Sequence, residues 1–159
     1  MHGRIKGTMT IYLGSDHGGF WLKENVKSWL TEWSYTFKDL GAHSLEPEDD
    51  FPKYAFAVAE SVAAEKDSLG ILFCRSGGGM AIAANRVPGI RAVEVYDVRS
   101  AQHAKTKNDA NIITLGGDWL SEEQTKVIIK TWLVTNFNNQ EKYNRRIAQL
   151  DQKQFVSAA

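Results

Sequence analysis

The feature that most restricts this chain is a repeated alternation. Short apolar runs end in glycine-rich loops, and each loop leads into apolar residues at helical spacing. TIYLGS, residues 10–15, is the first such run, and it ends in Asp16-His17-Gly18-Gly19. Leu22, Val26, Trp29, Leu30 and Trp33 then recur at the intervals of a helix. Residues 35–40 read as a second, weaker strand closed by Gly41, and a polar acidic loop, HSLEPEDDFP, follows. Tyr54, Val58, Ala59 and Val62 mark a second helix. Residues 69–74 are a wholly apolar third run, and they end in Arg75-Ser76-Gly77-Gly78-Gly79. The pattern continues with a short helix over 80–85, a strand over 90–96, a helix over 98–107 and a strand over 112–115. A long helix from about Ser121 and a last helix from Glu141 to about Gln152 complete it.

Strands that alternate with helices predict an α/β fold with a parallel sheet covered on both faces. Ligands of such sheets sit at the carboxyl ends of strands, at a topological switch point. The loops at 15–19 and 74–79 both lie at strand carboxyl ends. The length of 159 residues suits one domain. Residues 10–152 are read as that domain, 1–9 as a flexible N-terminal extension and 153–159 as a tail. Met9 is a candidate for the natural start, with the preceding residues an upstream leader or an added segment.

Composition narrows the function classes. Hydrophobic residues make up 43% of the chain and include five Trp, enough for a real core. Nineteen Lys and Arg balance nineteen Asp and Glu, which argues against a nucleic-acid binder with a broad basic field but leaves room for a small basic pocket. No apolar stretch has the length of a membrane span, and the first residues lack the apolar core of a signal peptide. A single cysteine, Cys74, excludes an internal disulfide and fits a reducing compartment. The expectation is a cytoplasmic protein with no nucleic-acid or membrane partner.

Four segments carry candidate chemistry. Asp16 and His17 place an acid and an imidazole side by side at a strand end, suited to binding a polar ligand and moving protons. The plainer reading is a helix-capping Asp16 and an ordinary loop histidine. In the second segment, Gly77, Gly78 and Gly79 expose amides before a helix, suited to a phosphate or a developing oxyanion. There the helix end and Arg75 favour a Cys74 thiolate that acts as base or nucleophile. The alternative is a buried structural cysteine. Lys107, Asn108 and Asp109 precede the last strand, where they also suit an Asx turn. Lys142 and Arg146 share one helix face and form a cationic pair for a phosphate, or a solvated helix end.

GSDHGGF, DFPKYA, GILFCRSGGGMAIAANRVPGIRA and NDANIITLGG, in this order and spacing, resemble the type B ribose-5-phosphate isomerases. That family includes the galactose-6-phosphate isomerase subunits, and the resemblance runs from about Thr10 to Asp151. It implies a Rossmann-like three-layer α/β/α sandwich with a C-terminal helix. It also implies homodimers, some pairing into tetramers, with the active site at the subunit interface. The implied activity is aldose–ketose isomerisation of a phosphorylated sugar through an enediolate, with no metal and no cofactor. By position, Cys74 matches the base at C2. Asp16 and His17 match residues that hold hydroxyls and assist ring opening. Ser76 stands where the family usually has Thr, and Gly77, Gly78 and Gly79 match the loop that stabilises the enediolate. Asn108 matches a substrate-binding residue of the partner subunit, and Lys142 and Arg146 match two phosphate-binding positions.

The departures from the family pattern cluster at the substrate. Lys107 stands where the ribose enzymes usually place the ring-opening His. Arg75 replaces a Gly, and Phe51 a Tyr. Asp118 falls where a phosphate-binding Arg is common, so that Arg75 either restores the missing charge or pairs with Asp118. Tyr143 stands where a His is common. Ribose 5-phosphate is the expected substrate, and an open-chain sugar such as a tetrose phosphate, or a hexose phosphate, is the alternative. A silent sugar-phosphate-binding paralogue is the competing class. A flavin- or nucleotide-binding module rests on fold analogy alone.

Overall fold

The computed structural model describes residues 9–153. The strands are β1 (Thr10–Ser15), β2 (Thr36–Asp39), β3 (Leu69–Cys74), β4 (Ala92–Glu94) and β5 (Ile112–Gly116). The helices are α1 (Phe20–Glu32), α2 (Phe51–Ala64), α3 (Gly78–Ala84), α4 (Val98–Asn108), α5 (Glu122–Val134) and α6 (Glu141–Asp151). Successive side chains of a strand point to opposite faces, and here they feed two cores. Ile11, Leu13, Ile71 and Phe73 pack with Leu22, Val26 and Leu30 of α1 and with Ile128, Ile129 and Trp132 of α5. Tyr12, Leu72 and Cys74 pack with Tyr54, Val58 and Val62 of α2 and with Met80 of α3. Both faces of the sheet are therefore covered, which is why β3 carries no polar residue.

The strand order is β2-β1-β3-β5-β4, and every neighbouring pair is parallel. The five-stranded sheet is wholly parallel. The chain leaves β1 for β2 on one side and returns to β3 on the other, so the loops after β1 and β3 diverge. That is the switch point where such sheets leave a crevice.

Element boundaries shift where local chemistry overrides periodicity. α2 starts at Phe51, ahead of its first buried apolar residue, because Pro52 fits the first helical turn. α3 begins inside the glycine run. β4 keeps only three residues because it pairs on one side alone. Met9 is buried against the first core. Most of the expected extension and tail, residues 1–8 and 154–159, lies outside the described residues. Among the described residues no helix is long and apolar enough to cross a membrane.

A charged cluster ties α1 to β2. Lys23 is fully buried, and its Nζ donates to Asp39 Oδ2 at 2.8 Å and Glu24 Oε1 at 3.0 Å. Lys27 joins Asp39 at 3.1 Å. Asp39 Oδ1 accepts the Gly41 N–H at 2.9 Å, which fixes the loop that follows β2.

Candidate active site

Adjacent strands bring the first two candidate loops together. Ser15 lies opposite Phe73 in the β1–β3 register, and Cys74 lies opposite Gly116 in the β3–β5 register. The loops after β1, β3 and β5 thus share one edge of the sheet. Their backbones nearly touch. A Cβ on Gly18 would sit 2.8 Å from Arg75 N, and one on Gly117 would sit 2.2 Å from Gly18 O.

Cys74 is buried and free, and its Sγ accepts the Gly77 N–H at 3.1 Å. Gly77 adopts φ 89°, a left-handed conformation that glycine reaches without a Cβ penalty. That turn aims the next amides into the loop. Gly78 N–H donates to Ser76 Oγ at 3.2 Å. Gly79 N–H has no acceptor among the described residues. A Cβ on Gly79 would come 2.9 Å from the Phe51 ring, so the start of α2 lies directly against the glycine loop.

Arg75 turns outward and pairs with Asp118 at 3.2 Å, with side chains 66% and 45% exposed. The two departures at these positions therefore compensate each other. The Arg75 charge is directed at a carboxylate rather than at the sulfur.

Asp16 is buried, and its Oδ1 accepts the Gly18 N–H at 2.9 Å. Burial raises its carboxyl above the usual range, against the opposing pull of His17. His17 is pinned by Asp49, whose Oδ1 accepts from the His17 backbone N–H at 3.0 Å and lies 2.7 Å from Nδ1. Tyr54 Oη donates to the other oxygen, Oδ2, at 3.0 Å. Partial burial works against ionisation of Asp49, but these three donors outweigh it and hold the carboxyl below its ordinary value. Ligand atoms of Asp16, His17 and Asp49 lie within 4.8 Å of one another. Sequence reading missed Asp49 and Tyr54. The first looked like one more charge in an acidic loop, and the second like a core residue of α2.

Lys107, Asn108, Lys142 and Arg146 are elsewhere. Gly70, near the start of β3, donates to Asn111 O, so the end of α4 lies at the amino edge of the sheet. Cys74 is at the carboxyl edge, about 13 Å away along the strand. Lys107 Nζ donates to Tyr143 Oη at 2.6 Å and lies 4.6 Å from the centre of its ring. Lys142 Nζ lies 5.0 Å from the same ring. The hydrogen bond from Lys107 holds the Tyr143 phenol below its ordinary value. Arg91 joins this edge to α6, bonding the Asn108 carbonyl at 3.1 Å and Asp151 at 3.2 Å.

The sequence and fold of this chain are shared with known proteins. The family model described as Ribose/Galactose Isomerase matches residues 11–150. The chain belongs to this family. Ribose-5-phosphate isomerase B of Mycolicibacterium paratuberculosis is 37% identical over 139 residues, covering 87% of each chain. The solved ribose 5-phosphate isomerase from Thermotoga maritima superposes with a TM-score of 0.87 at 38% identity, over 92% of this chain and 99% of that one. The Mycoplasma genitalium ribose-5-phosphate isomerase B, solved with bound ribulose 5-phosphate, gives 0.88 at 30% identity, over 91% and 95%. The family's sandwich, with its C-terminal helix, is the fold described above.

Proposed function

We propose that the protein is an aldose–ketose isomerase that interconverts ribose 5-phosphate and ribulose 5-phosphate. The observation that carries the reading is Cys74, a free thiol beside loop amides in a chain that belongs to an isomerase family. The ribose-5-phosphate isomerase relatives and the neighbour with bound ribulose 5-phosphate support the substrate.

In this reading Cys74 Sγ removes the C2 proton of the open-chain aldose and returns it to C1. The charge that develops on O1 and O2 is an enediolate. Amides stabilise such an anion best where they stand ready before the charge appears. Gly77 is already engaged with the sulfur and Gly78 with Ser76, so the Gly79 N–H is the donor standing open. Substrate displaces the Ser76 hydroxyl and frees the Gly78 amide. Asp16 and His17 hold the sugar hydroxyls. No electrons leave the substrate, so the reaction requires no redox partner.

The site is completed by a second copy. Asn108, Lys107, Lys142 and Arg146 lie at the opposite edge of the sheet from Cys74, too far to serve the same loop. A homodimer that sets one subunit's amino edge against the other's carboxyl edge supplies them. The phosphate then meets Lys142 and Arg146 on one face of α6. The catalytic unit is residues 10–152, and a lone free thiol suits the cytoplasm.

The test is direct: ribose 5-phosphate, a tetrose phosphate and a hexose phosphate are offered to the full chain and to Cys74→Ala. Turnover of ribose 5-phosphate, lost by about 10²–10⁴-fold in the variant, is the expected result. Full turnover in the variant, or binding of all three sugars without turnover, overturns the reading.

A further inference from the structure

His17 has a carboxylate partner that neither the motif comparison nor the fold points to. Asp49 sits in the acidic loop before α2, and its side chain is 3% exposed. Both of its oxygens are occupied, one by the backbone and ring of His17 and the other by Tyr54. Tyr54 is itself buried, and its ring packs against Gly41, where a Cβ would lie 3.1 Å from it. The partner of the imidazole is therefore fixed from behind by two elements.

We propose that Asp49 is the positioning residue of His17, and that the couple carries the proton transfer that opens the sugar ring within each subunit. The inference rests on the isomerase reading above. Its logic is one of tautomers. An ionised carboxylate 2.7 Å from Nδ1 requires the proton on that nitrogen. Nε2 is then left with its lone pair, and it has no hydrogen-bond partner among the described residues. Imidazole is the side chain whose ordinary titration lies near neutrality. Lys107 lies at the other edge and donates to Tyr143.

The step balances without another reactant. Nε2 takes the proton of the anomeric O1 hydroxyl while the C1–O1 double bond forms. The C1–O4 bond breaks and its electron pair stays on O4. The imidazolium, held meanwhile by Asp49, returns the same proton to O4. Several charged and titratable groups lie around the His17–Asp49 couple. Asp16 belongs to the loop of His17, Asp49 to the loop before α2, and Tyr54 to α2, with Lys53 Nζ 4.8 Å from the Tyr54 ring centre. From the loop after β3, the Arg75 side chain lies against the neighbouring Gly18 and pairs with Asp118.

The experiment exploits a difference between the two sugars. Ribose 5-phosphate is a closed furanose, whereas ribulose 5-phosphate has no free hydroxyl placed to close one. Exchange of a C1 hydrogen of ribulose 5-phosphate with deuterated water therefore needs Cys74 but no ring opening. In Asp49→Asn and Tyr54→Phe, isomerisation of ribose 5-phosphate is expected to fall, by about a hundredfold for Asp49→Asn. Exchange on ribulose 5-phosphate stays within about twofold of wild type, since the base at C2 is untouched. The acid limb of the kcat/KM profile for ribose 5-phosphate moves in Asp49→Asn, and proton–nitrogen NMR shows His17 leaving the Nδ1–H tautomer. Equal losses in both reactions would mean a structural role, and no loss in either would mean none; each overturns the proposal. If the wild-type chain neither isomerises nor exchanges, the isomerase reading fails and takes the ring-opening role with it. The NMR tautomer in the intact chain still decides whether Asp49 positions His17.

Discussion

Three carboxylates near the sheet show how one residue type serves different ends. Asp39 faces the fully buried Lys23, and although burial disfavours its charge, that contact and the Gly41 amide hold it below its ordinary value. Asp39→Ala strips a buried ammonium of its main partner, so a loss of about 3–5 kcal/mol is expected in urea unfolding. The pH dependence follows from the direction. Asp39 and Asp49 are both depressed in the folded state, so their contribution is complete above the unfolded value of about 3.9. It is lost as pH falls through their lower folded values. Acid unfolding of Asp49→Asn should show a weaker slope below that point. Asp16 runs the other way. Burial raises it, so its charge costs stability at neutral pH and the cost is relieved on acidification. Asp16→Asn should raise the melting temperature while weakening sugar binding. A gain in stability with full affinity would separate Asp16 from the ligand.

Among the elements, the Gly77 turn is the most exposed to mutation. Gly77→Ala places a Cβ 3.0 Å from the Leu115 carbonyl carbon in a left-handed residue. A cost of about 1–2 kcal/mol is expected from the conformation alone, and the Gly77 N–H would leave Cys74. Thermal melts and turnover should fall together. Ser121→Ala is the contrast. It removes the capping box that starts α5, where Ser121 Oγ accepts from Gln124 at 3.2 Å. About 1 kcal/mol is expected, with turnover unchanged. The elements also show what was legible beforehand. β1, β3 and α5 were readable because apolar period and flanking glycines agree. The start of α2 was not, because Phe51 and Pro52 follow four acids in five residues and resemble loop. Cys74, Ser76 and the glycines were legible as a contiguous motif. Asp49 was not, because its meaning depends on a histidine 32 positions away. The outcome at Arg75 and Asp118 was one of two open readings, since pairing across 43 positions depends on β3 and β5 being neighbours.

At the scale of the whole molecule, zero net charge hides a division. The carboxyl edge carries the cysteine, its amides and an internally balanced Arg75–Asp118 pair. The amino edge carries Lys107, Lys142 and Arg146. If the working site joins one edge of each subunit, Cys74→Ala and Asn108→Ala chains should each be inactive alone. Mixed and reassociated, they should regain about a quarter of the wild-type sites, because half the dimers are hybrids and each hybrid keeps one intact site. No recovery on mixing would mean that both residues of a site come from the same subunit.

The distance between the two edges also bears on how relatives of this chain diverge. Residues that change together are usually taken as neighbours in one fold. In a shared site, the glycine loop after β3 and the end of α4 are selected as neighbours although a full strand separates them. Covariation across the family should then link residues such as Arg75 and Lys107. A contact map built from it would draw a bridge through the middle of the sheet that no single chain contains.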